Sequence, residues 1–152
     1  MSRLCLVTMI KASAGYCYDV ARDIDVHLGS MQSCNEAAIG GVTSGLIGPG
    51  EEVTWRARHF GITWRMTSKI TEYERPARFV DEMQQGPFAC FRHEHLFEQQ
   101  DETTTMVDVI DYQLPLGPLG AIANAMFMGR YLRRLLEDRN GHVRATAEAQ
   151  SS

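Results

Sequence analysis

Two regions of regular alternation between apolar and polar residues, 52–73 and 88–114, constrain the fold most. Such alternation predicts β-strands that have one buried and one solvated face. Each region is interrupted by a short turn, Phe60-Gly61 in the first and Asp101-Glu102 in the second. Because so short a turn joins antiparallel strands, each region is predicted to form a long hairpin whose cross-strand partners follow from the turn.

The first hairpin has one apolar, aromatic face. A two-residue turn pairs Trp55 with Met66 and Ala57 with Trp64, and it places His59 on the same face. The opposite face carries mainly charged and hydroxyl side chains. The aromatic face is therefore predicted to be the buried one.

The second hairpin places ionisable side chains on its buried face. Its turn pairs His95 with Asp108 and puts His93 on the same side, and the strand predicted for residues 78–84 adds Asp81. A one-residue slip would turn these groups and their large apolar neighbours outward together. A buried carboxylate is tolerated mainly when it is paired, so a His–Asp network is predicted under the sheet. The large apolar residues of this face are Phe79, Met83, Phe91, Phe97, Met106 and Tyr112.

The segments before the hairpins predict strands and short helices. Ser13 is a candidate helix N-cap, and glycines with Pro49 indicate a turn before the first hairpin. The predicted elements are a strand over Leu4–Ile10, a helix after Ser13, a short helix over Asp25–Met31 and a strand over Ala38–Leu46.

The chain is predicted to end in one long helix. The pattern begins at Pro118, which suits a first helical turn, and stops at Asn140-Gly141. The apolar side of this helix changes at Gly129, which predicts a kink or a new packing partner there. Residues 142–152 are mostly polar, so the sequence predicts a single domain over 1–141 and a flexible polar tail over 142–152.

Composition excludes several classes of function. The net charge is -4, which argues against nucleic-acid binding and a polybasic membrane anchor. No apolar run reaches the roughly 18–20 residues of a membrane span, so no stable membrane insertion is expected. The four scattered cysteines predict reduced thiols in a cytoplasmic protein. No cofactor and no metal are predicted, because His93 and His95 alone do not supply a closed ligand set.

Five segments together resemble a known family. They are residues 23–27, 48–55, 86–88, 93–97 and 108–120. Over residues 1–140 the chain is similar to the START/birch-pollen-allergen superfamily, also called SRPBCC or helix-grip proteins. Within it, the chain resembles bacterial members labelled polyketide cyclase/dehydrase or ligand-binding. The resemblance implies an α+β helix-grip fold, in which a curved antiparallel sheet of six or seven strands wraps around a long C-terminal helix and two short helices follow the first strand.

The resemblance also implies a cavity between the sheet and the helix. The apolar residues on the buried face can fill a core or line that cavity. The inward polar groups fit a structural network, the polar end of a pocket, general acid–base chemistry or, least well, a metal site. The candidate catalytic residues are His95, Asp108, His93 and Asp81. The candidate ligand-binding residues are Trp55, His59, Trp64, Met66, Phe79, Asp81, Met83, Phe91, His93, His95, Asp108, Tyr112 and Met126.

The sequence therefore predicts binding of a small hydrophobic or amphipathic ligand, lipid-like or of the polyketide or aromatic type. Two alternatives are a small polyketide cyclase or dehydratase that uses a His–Asp pair as general base, and a regulatory module with a vestigial cavity. Arg130, Arg133 and Arg134 indicate a solvated helix face, or contact with an acidic head group or a partner chain. A second copy of the chain, in a homodimer, is the candidate protein partner.

Overall fold

A computed structural model of the protein describes residues 1–151. Seven strands form one antiparallel sheet in the order β1-β7-β6-β5-β4-β3-β2. The strands are β1 (Ser2–Ile10), β2 (Ala37–Gly41), β3 (Glu52–His59), β4 (Ile62–Glu74), β5 (Arg78–Gln85), β6 (Cys90–Gln100) and β7 (Thr103–Gln113). The helices are α1 (Ala14–Ala21), α2 (Ile24–Ser30), a 3₁₀ turn (Gln32–Cys34), α3 (Gly117–Ala123), a π-helical turn (Asn124–Met128) and α4 (Gly129–Ser151).

The register of both hairpins confirms the prediction. Trp55 pairs with Met66 and Ala57 with Trp64 across β3 and β4, and His95 pairs with Asp108 across β6 and β7. The curved sheet holds the terminal helices on its concave side, which is the predicted helix-grip architecture with two short helices after the first strand.

Short-range interactions set the ends of the first helices. The Ser13 side chain accepts a hydrogen bond from the Tyr16 amide at 3.3 Å, and Asp23 caps α2 through the amide of Asp25 at 2.8 Å. Both caps satisfy amides that a first helical turn leaves without partners. The strand predicted over Ala38–Leu46 is shorter than expected, because Gly41 takes a φ of +69° and ends the extended backbone there.

The C-terminal helix changes its packing where the sequence predicted. A π-helical turn over residues 124–128 lies directly before Gly129. The extra residue in this turn rotates the side chains before it relative to those after it. Met126, which was predicted to line the cavity, is consequently 59% exposed, whereas Met128 lies on the cavity wall.

The predicted polar tail is wrong. Instead of ending at Asn140-Gly141, α4 continues through residues 142–151; Ser152 lies outside the described residues. Val143 and Ala147 are 1% and 0% exposed and belong to the main hydrophobic core. Their burial offsets the roughly 1 kcal/mol that a helical glycine costs relative to alanine. Within residues 1–151, no helix is both long enough and apolar enough to cross a bilayer.

Candidate functional site

A cavity of about 490 Å³ lies between the sheet and the terminal helix. This volume falls in the range of small-molecule sites. Its walls are mostly apolar, as expected for a space between the buried face of a sheet and the apolar side of a helix. The sheet contributes Val53, Trp55, Ala57, Trp64, Met66, Phe79, Phe91 and Ile110, and α4 with the turn before it contributes Met128, Tyr131, Leu132, Leu135, Leu136 and Arg139.

Ionisable and amide side chains gather at the inner side of this cavity, and we call them the buried polar cluster. His93 Nε2 lies 2.7 Å from Asp108 Oδ1, and His95 Nε2 lies 2.7 Å from Asp81 Oδ2. The two imidazole rings stack with their centroids 3.7 Å apart. The cluster consists of Asp81, His93, His95, Asp108, Arg139 and Asn140.

The shortest hydrogen bonds run diagonally across the sheet, and the predicted His95–Asp108 pair remains as a longer contact. The backbone register places His95 opposite Asp108 and Asp81 opposite His93. Each histidine side chain instead hydrogen-bonds to the carboxylate that the register places opposite the other histidine. His95 Nδ1 lies 3.3 Å from Asp108 Oδ1 and has no hydrogen-bond partner among the described residues.

The terminal helix closes the cluster from the other side. Asn140 Nδ2 donates to Asp108 Oδ2 at 2.7 Å, and Arg139 Nη1 donates to Asp108 Oδ1 at 3.3 Å. Arg139 Nη2 also donates to the Ala21 carbonyl at 3.0 Å, which ties α4 to α1. The fully buried Asp108 carboxylate therefore has three donors around it, one of which is the cation Arg139, as a buried charge requires.

Burial and local charges set the protonation of the cluster. Desolvation and the nearby His95 ring lower the pKa of His93 to about 4. Despite its own burial, Asp108 has a pKa well below its ordinary value, because His93, His95 and Arg139 stabilise its charged form. Hydrogen bonding to His95 similarly lowers the pKa of the Asp81 carboxyl against the effect of its burial. At pH 7, His93 is neutral and both carboxyl groups are ionised.

These protonation states determine which atoms at the cavity wall can accept a hydrogen bond. An ionised Asp108 can only accept, so the proton of neutral His93 lies on Nε2 and its Nδ1 carries a lone pair. His93 Nδ1 and Asp81 Oδ1 have no partners among residues 1–151 and are not fully buried. The polar end of the cavity therefore presents two acceptors that no side chain or backbone group of the described residues uses.

The same residues make a poor metal site. One ligand atom each from Asp81, His93 and His95 can be chosen within 4.8 Å of the others. However, both Nε2 atoms already contact carboxylates, and the rings lie stacked at an interplanar angle of 25°. Imidazole lone pairs lie in the ring plane, so two stacked rings do not converge on one ion. The geometry favours hydrogen bonding over metal ligation.

Residues 7–148 match the family model described as "Polyketide cyclase / dehydrase and lipid transport". The chain belongs to this family. No curated protein matches it in sequence. Members of this polyketide cyclase/dehydrase and lipid transport family share the helix-grip architecture of the START/SRPBCC superfamily.

Solved structures agree on that fold. The Zhui aromatase/cyclase from Streptomyces sp. R1128 is 15% identical, with a TM-score of 0.75 over 99% of this chain and 96% of that one. A START superfamily protein from Mycobacterium smegmatis is 13% identical, with a TM-score of 0.69 over 93% and 96%. Major latex-like protein 151 from Panax ginseng is 13% identical, with a TM-score of 0.64 over 96% and 97%. At such identities the likeness concerns the fold.

Most of the residues predicted for the site line the cavity of this family member. Four do not. Asp108 lies behind His93, Met83 is outside the cavity lining, Tyr112 is buried and bonds to Asn124, and Met126 is exposed. Those that line it are Trp55, His59, Trp64, Met66, Phe79, Asp81, Phe91, His93 and His95.

Two important residues were missed by sequence reasoning. Arg139 and Asn140 complete the buried polar cluster, but the Asn-Gly pair indicated the end of the helix. A better signal was available: Leu132, Leu136, Val143 and Ala147 continue one helical face past that pair. The short helices also contribute more than expected, because His27 packs on Trp55 with ring centroids 4.3 Å apart.

Proposed function

We propose that this protein binds an apolar small molecule that carries a hydrogen-bond donor, such as a phenolic or alcoholic hydroxyl group. The apolar part would lie against the sheet residues Trp55, Met66 and Phe91 and the helix residue Leu132, which line the cavity. The hydroxyl would donate to His93 Nδ1 or Asp81 Oδ1. Two acceptors without a partner among the described residues, at the end of an apolar cavity, are the observation that carries this proposal.

The same acceptors argue for binding rather than proton transfer. A general base is most effective when its pKa lies near the working pH. The pKa of His93 is about 4, and that of Asp81 lies below its ordinary value, so both are weak bases at neutral pH. They can accept a hydrogen bond from a hydroxyl group without removing its proton. This favours a binding protein over the cyclase or dehydratase that the sequence left as the alternative.

A matched pair of fluorescent probes tests the polar end. 1-Hydroxypyrene is expected to bind roughly ten- to a hundredfold more tightly than 1-methoxypyrene, since only the hydroxyl can donate to the acceptors. In the Asp81→Asn variant the charged acceptor is lost and the amide can donate to either probe, so the preference is expected to fall to the smaller part that His93 Nδ1 supplies. Titrations followed by fluorescence measure both ratios.

Asp111 provides the matched control for this experiment. It lies on the other face of β7, where it pairs with Arg3 at 2.7 Å. The Asp111→Asn variant should keep the wild-type preference for the hydroxyl probe. A wild-type protein that binds both probes equally, or an Asp81→Asn variant with the full preference, would contradict the proposal.

A cavity-filling substitution tests the location of the ligand. Ala57 lies on the cavity wall, so Ala57→Phe is expected to weaken binding of 1-hydroxypyrene by about a hundredfold or more, at a stability cost of roughly 1–3 kcal/mol. Ala145→Phe, at an exposed position of α4, is the control and should bind as the wild type does. Unchanged affinity in a folded Ala57→Phe protein would place the ligand elsewhere.

A further inference from the structure

The cavity opens to solvent between two segments of the chain. Among its lining residues, the exposed ones belong to residues 60–65 and 115–119. Phe60, in the β3–β4 turn, is 60% exposed, and Leu116, just before α3, is 76% exposed. The Phe60 ring packs at a tilt against Tyr131 of α4 with ring centroids 4.6 Å apart, so the turn lies beside the start of that helix.

Exposed apolar side chains continue from this opening, and we call them the mouth patch. Large exposed apolar patches usually mark surfaces that contact a partner or a membrane. Each residue of the patch keeps more than half of its surface in contact with water. The mouth patch consists of Phe60, Leu116 and Leu119, which line the cavity, together with Ile62 and Ile122, which follow them in β4 and in α3.

The backbone presents two of these side chains in a disfavoured conformation. Phe60 and Leu116 have φ values of +55° and +74°, in the left-handed region. The other non-glycine residues with positive φ are Asn35 and Asp101, which are the residue types that tolerate it. Asparagine would suit the backbone better at both apolar positions. Turn and helix-start geometry therefore does not explain the choice of phenylalanine and leucine.

The mouth patch is bordered by positive charge, although the whole chain has a net charge of -4. Neither residues 53–68 nor residues 112–136 contain an acidic residue. The two segments carry exposed arginines that form no ion pair within residues 1–151. Near the opening they are Arg65, which lines the cavity, and Arg130, Arg133 and Arg134 at the start of α4, whereas Arg56 and Arg58 lie on the opposite face of β3.

We propose that the mouth patch docks on the surface of an anionic lipid bilayer. Apolar side chains flanked by cations are the features that hold proteins at such an interface. A second copy of the chain is a poorer partner, because a symmetric contact would bring the same arginines together. Docking would place the opening of the cavity at the level of the lipid head groups. It requires no spanning helix and does not depend on which ligand the cavity binds.

Vesicle flotation tests this proposal. The wild-type protein is expected to float with vesicles of phosphatidylcholine and phosphatidylglycerol, to bind pure phosphatidylcholine vesicles weakly, and to be released by salt. The Phe60→Asn/Leu116→Asn double variant should bind the mixed vesicles at least about tenfold more weakly. Because asparagine tolerates the left-handed backbone, this variant is expected to keep its fold, which its melting temperature checks.

Matched variants and a mass measurement complete the test. Val7→Thr/Met9→Thr removes exposed apolar side chains from β1, away from the opening, and should bind vesicles like the wild type. Arg130→Gln/Arg133→Gln/Arg134→Gln should weaken binding to the mixed vesicles only. Three results would overturn the proposal: no flotation of the wild type, full binding by the folded asparagine variant, or a dimer in light scattering that this variant disrupts.

Discussion

Replacing Asp108 by alanine is expected to lower the free energy of unfolding by about 3–5 kcal/mol. The carboxylate is fully buried and accepts hydrogen bonds from His93, Arg139 and Asn140. Its removal leaves the Arg139 guanidinium, 5% exposed, without a counter-charge in a desolvated site. Urea denaturation monitored by circular dichroism measures the loss.

A double substitution separates this effect from the loss of packing. Arg139→Met removes the buried cation, so Asp108→Ala/Arg139→Met is expected to be more stable than the sum of the single effects predicts. Asp111→Ala, at the surface pair with Arg3, should cost far less than Asp108→Ala. An Asp108→Ala protein within about 1 kcal/mol of the wild type would show that the cluster does not hold the helix on the sheet.

Acid is expected to destabilise the protein through His93. The pKa of His93 is about 4 in the folded protein and 6.5 ordinarily, so between these pH values the unfolded chain binds the extra proton. Stability is therefore complete above pH 6.5 and is lost as the pH falls to 4. At about 1.4 kcal/mol per pKa unit, the loss is about 3 kcal/mol.

The two carboxyl groups of the cluster affect the free energy of unfolding only at lower pH. The pKa values of Asp81 and Asp108 lie below their ordinary value of 3.8, so their contribution is present above pH 3.8 and is lost only in stronger acid. Burial also lowers the pKa of His59, which adds to the loss that His93 causes. In His93→Gln, the change in unfolding free energy between pH 6.5 and 4 should shrink to the part due to His59. Equal pH profiles for the two proteins would contradict this assignment.

The sequence predicted the sheet better than the site. Alternation and two-residue turns fix the hairpin registers, so the inward direction of His93, His95 and Asp108 followed from local rules. The partners of these side chains did not, because side chains in one register can bond directly or diagonally. The pairing also involves Arg139 and Asn140, which reach Asp108 from α4 and which the sequence did not single out.

The helix shows the same division between local and tertiary effects. The change of apolar side near Gly129 was readable from the sequence. The structure has a π-helical turn at this point, which adds one residue to the helical repeat. Met126 lies on the exposed side of the turn, and Met128 lies on the cavity side. A helical-wheel analysis assumes a constant 3.6 residues per turn, so it misplaced Met126, which lies within the turn.

NMR of the imidazole nitrogens of His93 tests the central claim most directly. At pH 7, without ligand, Nε2 is predicted to carry the proton and Nδ1 to show the chemical shift of an unprotonated nitrogen. Addition of 1-hydroxypyrene should move the Nδ1 signal as it accepts a hydrogen bond, while 1-methoxypyrene should leave it in place. A protonated Nδ1 at pH 7, or a hydroxyl probe that at saturation moves neither the Nδ1 signal nor the Asp81 carboxyl signal, would contradict the account of the cavity as a site for hydrogen-bond donors.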